Sequence, residues 1–388
     1  MEDRATSPRV LIVESHASYF CSHRKVWAET ARERGYDVHV TALKPGGEVL
    51  VREEGYPFYE IADQERGRNP IAELRLVWRL CRLFSSVAPD LVHLITLRSL
   101  IYGALAARLA GVPAVLNNVT GLGFLFSDDR GTVRLLREGV IQFLRLALTH
   151  PNQITTFQNP DDAEIFHSRN VVSEERTVVT PGSGVDPDRF AYEEELAGEG
   201  DLIAMLPTRM LWHKGVGTFV EAAEQLQRSG LSARFVLVGD TDPENPGAVS
   251  EEQIKDWESA GIIEWWGPQE SDEMPNVLRQ AHVVCLPSYY REGIPKVLIE
   301  AASCGRPIVT TDVPGCREIV ADGENGMLVP AKDGGALADQ IRSLLENQEL
   351  RREMGREGRR RVEQHFTAQR VADQVVGAYD RLLARDGA

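Results

Sequence analysis

The chain has 388 residues, more than one ordinary hydrophobic core supports, and this predicts two domains. Its composition, 43% hydrophobic and 26% charged without a low-complexity block, is that of a soluble globular protein, and its longest apolar stretch, residues 100–116, is cut by Arg108, so no membrane span is expected. The net charge of -15 argues against a nucleic-acid partner, yet it is uneven: -1 over residues 1–185, -14 over 186–388, and +6 over 66–150, where 11 arginines face 5 acids.

Acidic residues precede the first apolar run in MEDRATSPRVLIVES, so this is not a secretory signal and a cytoplasmic chain is expected. The five cysteines, Cys21, Cys81, Cys285, Cys304 and Cys316, form no CxxC pair and read as reduced core thiols. Residues 10–15 read as a buried first strand, followed by a turn, a helix over 21–35 and a strand over 37–43. The turn SHASYFCSHR lacks G-x-G-x-x-G, which removes the most specific support for a nicotinamide enzyme. An amphipathic helix over 69–87, a strand over 90–96, a helix over 99–110 and a strand over 114–119 come next. The loop TGLGFLFSDDRG, a long helix over 132–149, a strand over 153–159, a short helix and the segment 176–186 complete a Rossmann-like half.

Asp186-Pro187-Asp188 and the acidic run 192–201 read as a linker with no element of its own. The second half starts with a strand over 202–208, a helix over 216–229 and strands over 233–240 and 262–267. A strand over 282–288, a helix over 295–303 and a strand over 307–311 form a βαβ unit. A strand over 325–330 and helices over 334–346, 349–364 and 367–385 end the chain. There is no internal repeat of about 20–50 residues.

Two motifs in the second half carry chemistry. In TRMLWHKGV, Arg209 and Lys214 flank a strand-to-helix loop, where oriented N–H groups and a helix dipole favour an anion. Arginine binds phosphate oxygens bidentately and lysine adds a point charge, so the pair suits a diphosphate leaving group; equally, it is a surface pair of basic residues. In SYYREGIPKVLIEAASCG, Glu292 lies in the loop after a strand and Glu300 about two turns into a helix. Either glutamate alone fits a helix-dipole role. Together, with Gly293 and Pro295 shaping the helix start, they suit the vicinal hydroxyls of ribose and pyranose.

The arginine–lysine loop, the Glu-x7-Glu stretch and the segment PGCREIV together resemble the retaining, nucleotide-sugar-dependent glycosyltransferases of family 4. The likeness covers nearly the whole chain and is strongest over residues 202–330. RMLWHKGV, SYYREGIP and NVTGLGFLF look like bacterial enzymes that extend undecaprenyl-diphosphate-linked sugars. The resemblance implies an α/β fold of two Rossmann-like domains facing a cleft, the GT-B arrangement. Residues 1–186 with 366–388 would bind the acceptor and residues 200–365 the donor, the last helix crossing back near His365-Phe366. It further implies that Arg209 and Lys214 hold the donor diphosphate, that Glu292 meets the donor sugar and that Glu300 meets the ribose. The backbone of Gly293, Ile294 and Pro295 would approach the sugar and diphosphate, and Gly239-Asp240 and Gly267-Pro268-Gln269 the base.

Several positions depart from the family pattern. A pair of glycines often follows the first strand, whereas this chain has Ser15-His16-Ala17-Ser18. His16 therefore fills that space, touches the donor, packs in the core or caps a helix. A histidine often follows the fourth strand, but here His93 lies inside it, leaving Thr96 and Arg98, with Thr120 and Gly121 beyond the next strand, as candidate ligand contacts. No DxD ends a strand, and Asp128-Asp129 and Asp161-Asp162 read as turn or cap acids, so a metal-independent transferase without a cofactor is expected. No nucleophile–base pair stands out; in the family, retention is attributed to attack on the face the diphosphate leaves.

The arginines on 69–87 and 132–149 have two explanations: amphipathic helices snorkelling cations off a core, or a surface for anionic lipid and an acceptor diphosphate. The second places the protein on the inner face of the cell membrane, with the apolar loop 121–126 at the membrane or acceptor mouth. The expected substrates are a UDP-sugar, with a hexose or N-acetylhexosamine such as GalNAc, and a polyprenyl-diphosphate saccharide. A soluble acceptor, or UDP-sugar 2-epimerase chemistry on the same fold, is the competing assignment.

Overall fold

The computed structural model describes residues 7–61, 70–123, 126, 130–194 and 201–384. The chain divides into two compact units: one runs to Ser183 and resumes at Ala368, and the other spans Gly184–Thr367. Each is built on a parallel sheet. In the first, β1 (Arg9–His16), β2 (Asp37–Lys44), β3 (Phe58–Glu60), β4 (Leu91–Ile95), β5 (Ala114–Val119), β6 (Gln153–Phe157) and β7 (Thr177–Val179) stand in the order β3-β2-β1-β4-β5-β6-β7. In the second, β8 (Ile203–Pro207), β9 (Arg234–Val238), β10 (Glu264–Trp265), β11 (Val283–Leu286), β12 (Ile308–Thr311) and β13 (Gly326–Val329) stand in the order β10-β9-β8-β11-β12-β13. The central strands β4, β5, β6, β8, β11 and β12 are buried at every position. Helices covering both faces of a parallel sheet demand that continuous apolar character.

Both sheets reverse their order between the first and fourth strands. Val10 to Val13 of β1 pair with Leu91 to Leu94 of β4, and Ala204 and Met205 of β8 pair with Val283 and Val284 of β11. Strand order reversal opens a crevice at the carboxyl ends of the two strands, which is where open α/β sheets bind ligands. Each unit therefore has one such edge.

The last helix, Ala368–Leu383, packs on the first unit, where Val371, Val375, Val376, Tyr379 and Leu382 join the core around Val10, Ile12 and Leu116. Full burial of each of these side chains contributes about 1.5–3 kcal/mol. Arg34 pins the outer face of that helix through Asp373 (2.6 Å) and Asp380 (3.0 Å). Val185, near the start of the second unit, donates its N–H to the Phe366 carbonyl near the end of that unit (2.9 Å).

Some local expectations change. The helix expected over 21–35 is a short turn, Ala17–Tyr19, a π-helical turn, Phe20–Arg24, and an α-helix, Lys25–Glu33. The wide turn brings Arg24 inward onto buried Glu14 (3.4 Å), a use typical of π-bulges. Glu300 is the fifth residue of the helix Lys296–Ser303, just over one turn in rather than two. The helices Glu48–Glu53, Glu251–Ser259 and Met274–Gln280 were not foreseen; each is too short to show a clear period. Asp161 and Asp162 lie in the first turn of Pro160–Ser168, capped by Asn159. Residues 195–200 of the acidic run, the N-terminal MEDRAT, and Phe124, Leu125 and Ser127-Asp128-Asp129 of the apolar loop lie outside the described residues. Leu122 and Phe126 are buried, so these two do not form an exposed apolar tip.

Candidate functional site

The second unit gathers its motif residues at the reversal point between β8 and β11. After β8 the chain turns through Arg209 and the 3-10 turn Trp212–Lys214, then enters the helix Val216–Arg228 at Gly215. After β11 it runs through Ser288, Glu292 and Gly293 to the helix Lys296–Ser303. The two loops are joined through their backbones. Tyr289 N–H donates to the His213 carbonyl at 3.1 Å, and Ser288 Oγ lies 3.1 Å from the same oxygen. Gly215 adopts φ +82°, and a Cβ there would lie 2.1 Å from the Pro287 carbonyl oxygen, so only glycine permits both the turn and the approach.

This joining places Lys214 Nζ 2.6 Å from both carboxylate oxygens of Glu292. Ser288 Oγ donates to Glu292 Oε1 at 2.8 Å. The lysine and glutamate side chains are only 15% and 11% exposed, so their charges act through protein more than through water. His213 stacks near Tyr290, ring centroids 4.4 Å apart; burial, and then the neighbouring Lys214 charge, hold its pKa below the ordinary value. Arg209 is more open and lies 3.5 Å from Asp242.

Behind Glu292 the backbone is close-packed. A Cβ on Gly315 (φ +87°) would sit 1.8 Å from the Gly293 carbonyl oxygen, so the turn before the helix Cys316–Ile319 abuts the Gly293 backbone. Gly293, Ile294 and Pro295 are buried. Glu300 is buried too, 3.5 Å from Lys296. Burial pushes its pKa up, against the pull of Lys296 and, more weakly, Arg189. On the other side of β8, Gly239 (φ +139°) has no room for a Cβ, which would meet the Thr208 carbonyl oxygen at 2.0 Å. Gly239 N–H donates to Gly267 (2.8 Å), and Gln269 Nε2 donates to Trp266 (2.8 Å). Asp240 is exposed. The motif residues of the second unit thus share one sheet edge: Arg209, Lys214, Glu292 and Glu300 with the Gly239 and Gly267 turns. Sequence reasoning did not single out Ser288, Gly215 or the contact of Gly315 with Gly293. A serine two residues past a buried strand and a glycine right after Lys214 were the available signals.

The first unit holds the remaining candidates. His16 ends β1 and precedes the turn Ala17–Tyr19 without a side-chain cap bond, so the capping role does not hold; its ring meets Tyr19 edge-on at 5.7 Å. Thr96 and Arg98 follow β4, and Thr120 and Gly121 follow β5, at the matching edge of this sheet. Thr96 holds φ +77°, a strained conformation for a β-branched residue of the kind that clusters at functional sites. Arg98 lies 3.5 Å from Glu73. His93 is fully buried and Nδ1 bonds Tyr379 Oη at 2.7 Å; it stacks on Trp27, and burial with the Arg24 charge pushes its pKa down to about 3. It is a core residue, neutral at ordinary pH. Among the described residues no group of acids, histidines or cysteines is arranged for a metal ion, and no helix is long and apolar enough to cross a membrane.

Known proteins match this chain along both units. A family model described as glycosyl transferase 4-like matches residues 9–159, and one described as glycosyl transferases group 1 matches residues 188–361. The chain is 27% identical over 326 residues to the N,N'-diacetylbacillosaminyl-diphospho-undecaprenol alpha-1,3-N-acetylgalactosaminyltransferase of Campylobacter jejuni, covering 81% of this chain and 83% of that one. It is 23% identical over 381 residues to the capsular polysaccharide biosynthesis glycosyltransferase CapM of Staphylococcus aureus, covering 92% of each. The crystal structure of Anabaena HepE in complex with UDP and glucose superposes with a TM-score of 0.74 over 96% of this chain and 99% of that one, at 18% identity; this likeness speaks for the shared fold. With a donor-type motif set folded onto one sheet edge and a glycosyltransferase model matching each unit, the chain carries a glycosyl transferase 4-like domain over residues 9–159 and a glycosyl transferases group 1 domain over residues 188–361.

Proposed function

We propose that this enzyme moves a hexose or N-acetylhexosamine from a UDP-sugar to a lipid-diphosphate-linked saccharide in the assembly of a cell-surface glycan. The observation that carries the proposal is the Lys214–Glu292 contact at the β8–β11 reversal, with Arg209 on the same loop. In this assignment the second unit binds the donor and the first the acceptor. Lys214 and Arg209 take the donor diphosphate, Glu292 the sugar hydroxyls and Glu300 the ribose. The turns at Gly239 and Gly267 lie beside the base. The lipid acceptor is supported by the relative in Campylobacter jejuni, whose name places its acceptor on undecaprenol diphosphate.

The reaction then runs without a protein nucleophile and without a metal. The bond from the anomeric carbon to the terminal phosphate oxygen breaks, both electrons leaving with the UDP. The acceptor hydroxyl bonds to that carbon on the same face and passes its proton to the departing phosphate oxygen, so the configuration is retained. Growing negative charge on the diphosphate competes with Glu292 for Lys214, and a partly buried cation stabilises that charge more than water does. The arginine-bearing helices of the first unit seat the enzyme on the anionic inner face of the cell membrane.

The test is to incubate the protein with radiolabelled UDP-sugars and a polyprenyl-diphosphate saccharide, with and without EDTA. Transfer of label to lipid that survives EDTA, with the α-configuration retained by NMR, is expected. Isomerised free UDP-sugar without transfer overturns the proposal in favour of an epimerase.

A further inference from the structure

The first unit carries a concavity that neither the donor site of the second unit nor the family match accounts for. Its helices Pro70–Val87, Leu97–Ala110 and Gly131–Ala147 enclose a groove of about 840 Å³, within the range of ~300–1,000 Å³ that suits a small-molecule ligand. Leu74 and Val77, Ile101 and Leu105, and Leu136 and Phe143 supply its walls, two from each helix. Leu74 and Leu136 are 69% and 62% exposed, so apolar surface here faces outward instead of closing the core. An exposed apolar concavity of this size marks a binding site more often than chance exposure.

One glycine bears on why the groove stays open. Gly139 lies inside the helix Gly131–Ala147 and lines the groove, and a Cβ there would meet nothing within 4 Å. Neither backbone conformation nor close packing calls for glycine at this position, and glycine weakens a helix interior. Its effect is to leave this side of the groove unfilled.

The groove is polar at one end only. In a parallel sheet the connecting helices run back against the strands, so their N-termini stand at the carboxyl edge of the sheet, the ligand edge. Glu73, Tyr102 and Thr132, the polar side chains of the lining, all come from the first two turns of their helices. Arg98, in the first turn of the helix Leu97–Ala110, holds Glu73, and the charge and hydrogen bond of Glu73 add to the burial that raises the Tyr102 pKa to about 12. The three helices carry eight arginines and two glutamates, a strong cationic excess in a chain of net charge -15. An apolar channel that starts at a polar mouth beside the sheet edge, with Arg98 behind Glu73 and arginine-rich helices around it, complements an amphiphile with an anionic head and one long hydrocarbon tail.

We infer that this groove holds the isoprenoid chain of the acceptor lipid, with the acceptor diphosphate at the mouth near Arg98. The inference rests on the lipid-diphosphate acceptor proposed above, and adds where the lipid goes. It also makes the tail part of acceptor recognition, so a saccharide diphosphate with a short alkyl group is a poor substrate.

Two experiments on the full chain test this. In the first, geranylgeranyl diphosphate bearing a diazirine is photolysed with the protein and the labelled peptides are mapped. Label is expected on peptides holding Leu74 to Val77 and Leu135 to Phe143, displaced by unlabelled geranylgeranyl diphosphate and lost in Gly139→Trp, which fills the groove, and in Leu136→Asp. Label elsewhere, label undiminished in both variants, or equal displacement by phosphatidylglycerol vesicles overturns the isoprenoid assignment. In the second, transfer is compared for acceptors with a C20 isoprenoid and with a short alkyl chain. Wild type should show a KM about tenfold or more lower for the isoprenoid, from burial of the added hydrocarbon, and Gly139→Trp should bring the two KM values together. Equal KM values in wild type overturn the groove while the acceptor class stands. No transfer to either acceptor overturns the acceptor class, and the photolabelling then decides the groove by itself.

Discussion

Lys214 and Glu292 stand 78 positions apart in the chain, yet the lysine nitrogen lies 2.6 Å from both oxygens of the glutamate. The pair exists because β8 and β11 are neighbours at a sheet reversal, which sends both following loops to the same edge. Ser288 fixes the carboxylate from the other side. Lys214→Ala should lower kcat by about 10²–10³, the usual effect of removing one preorganised electrostatic partner of a transition state. Glu292→Ala should act in the same direction, and the double variant should fall well short of the product of the two, as groups acting as a unit do. Steady-state kinetics on the three variants check this, and strictly multiplicative losses would show that the pair does not act together.

Gly315 tests whether the backbone behind Glu292 matters. A methyl group at this position meets the Gly293 carbonyl oxygen at 1.8 Å, with φ at +87°. Gly315→Ala therefore pushes the Gly293 loop away from its place beside Lys214. Misplacement of a reacting group by about 1 Å can cost about 10²-fold in rate, so kcat/KM should fall by that order. Thermal denaturation should show a smaller effect, because the strain is confined to one loop. An unaltered kcat/KM in a folded Gly315→Ala variant would detach this loop from the site.

The sequence made the fold class legible because parallel strands buried on both faces leave long apolar runs, and 282–288 and 307–311 are such runs. It made Arg209, Lys214, Glu292 and Glu300 legible because their spacing follows strand ends. It did not reveal strand order, so the meeting of Lys214 with Glu292 stayed hidden. Ser288 and Gly315 act through one oxygen and one missing methyl, and neither leaves a periodic trace. Arg24 reaches Glu14 only because of a π-helical turn, which composition does not signal. The alternation of β4 left His93 open to either role, and only the packing of the distant Tyr379 resolves it.

That packing predicts acid sensitivity. His93 titrates near 3 in the folded chain against an ordinary value of 6.5. Below 6.5 the unfolded chain takes up a proton that the folded chain refuses, so stability is lost as pH falls from about 6.5 towards 3, with a slope approaching about 1.4 kcal/mol per pH unit from this residue. Urea unfolding between pH 7 and 4 should show a shallower loss for His93→Phe than for wild type. Tyr379→Phe leaves His93 Nδ1 buried without its partner and should cost about 1–3 kcal/mol. The double variant, which removes both polar groups, should recover part of that cost. A pH slope identical in wild type and His93→Phe would rule out the buried neutral histidine.

Glu300 should show the opposite sign. Burial raises its pKa above the ordinary 4.5, so between these two values the folded chain keeps a proton that the unfolded chain has released. Its contribution to stability is therefore fully present below about 4.5 and declines as pH rises through the folded value. Glu300→Gln removes this penalty. Its stability should match wild type at the acid end and exceed it increasingly towards neutral pH, as measured by urea unfolding at several pH values. The same substitution should harm catalysis, because a carboxylate accepts hydrogen bonds from ribose hydroxyls more strongly than an amide does. A charge-assisted bond is worth about 1.5–3 kcal/mol, so KM for the UDP-sugar should rise about 10–100-fold. Wild type should also lose donor affinity with falling pH earlier than an ordinary carboxylate would allow, and Glu300→Gln should lack that dependence. A variant that is both less stable at neutral pH and unaffected in KM would make Glu300 a structural residue, held by Lys296, and would move the ribose contact elsewhere along the β8–β11 edge.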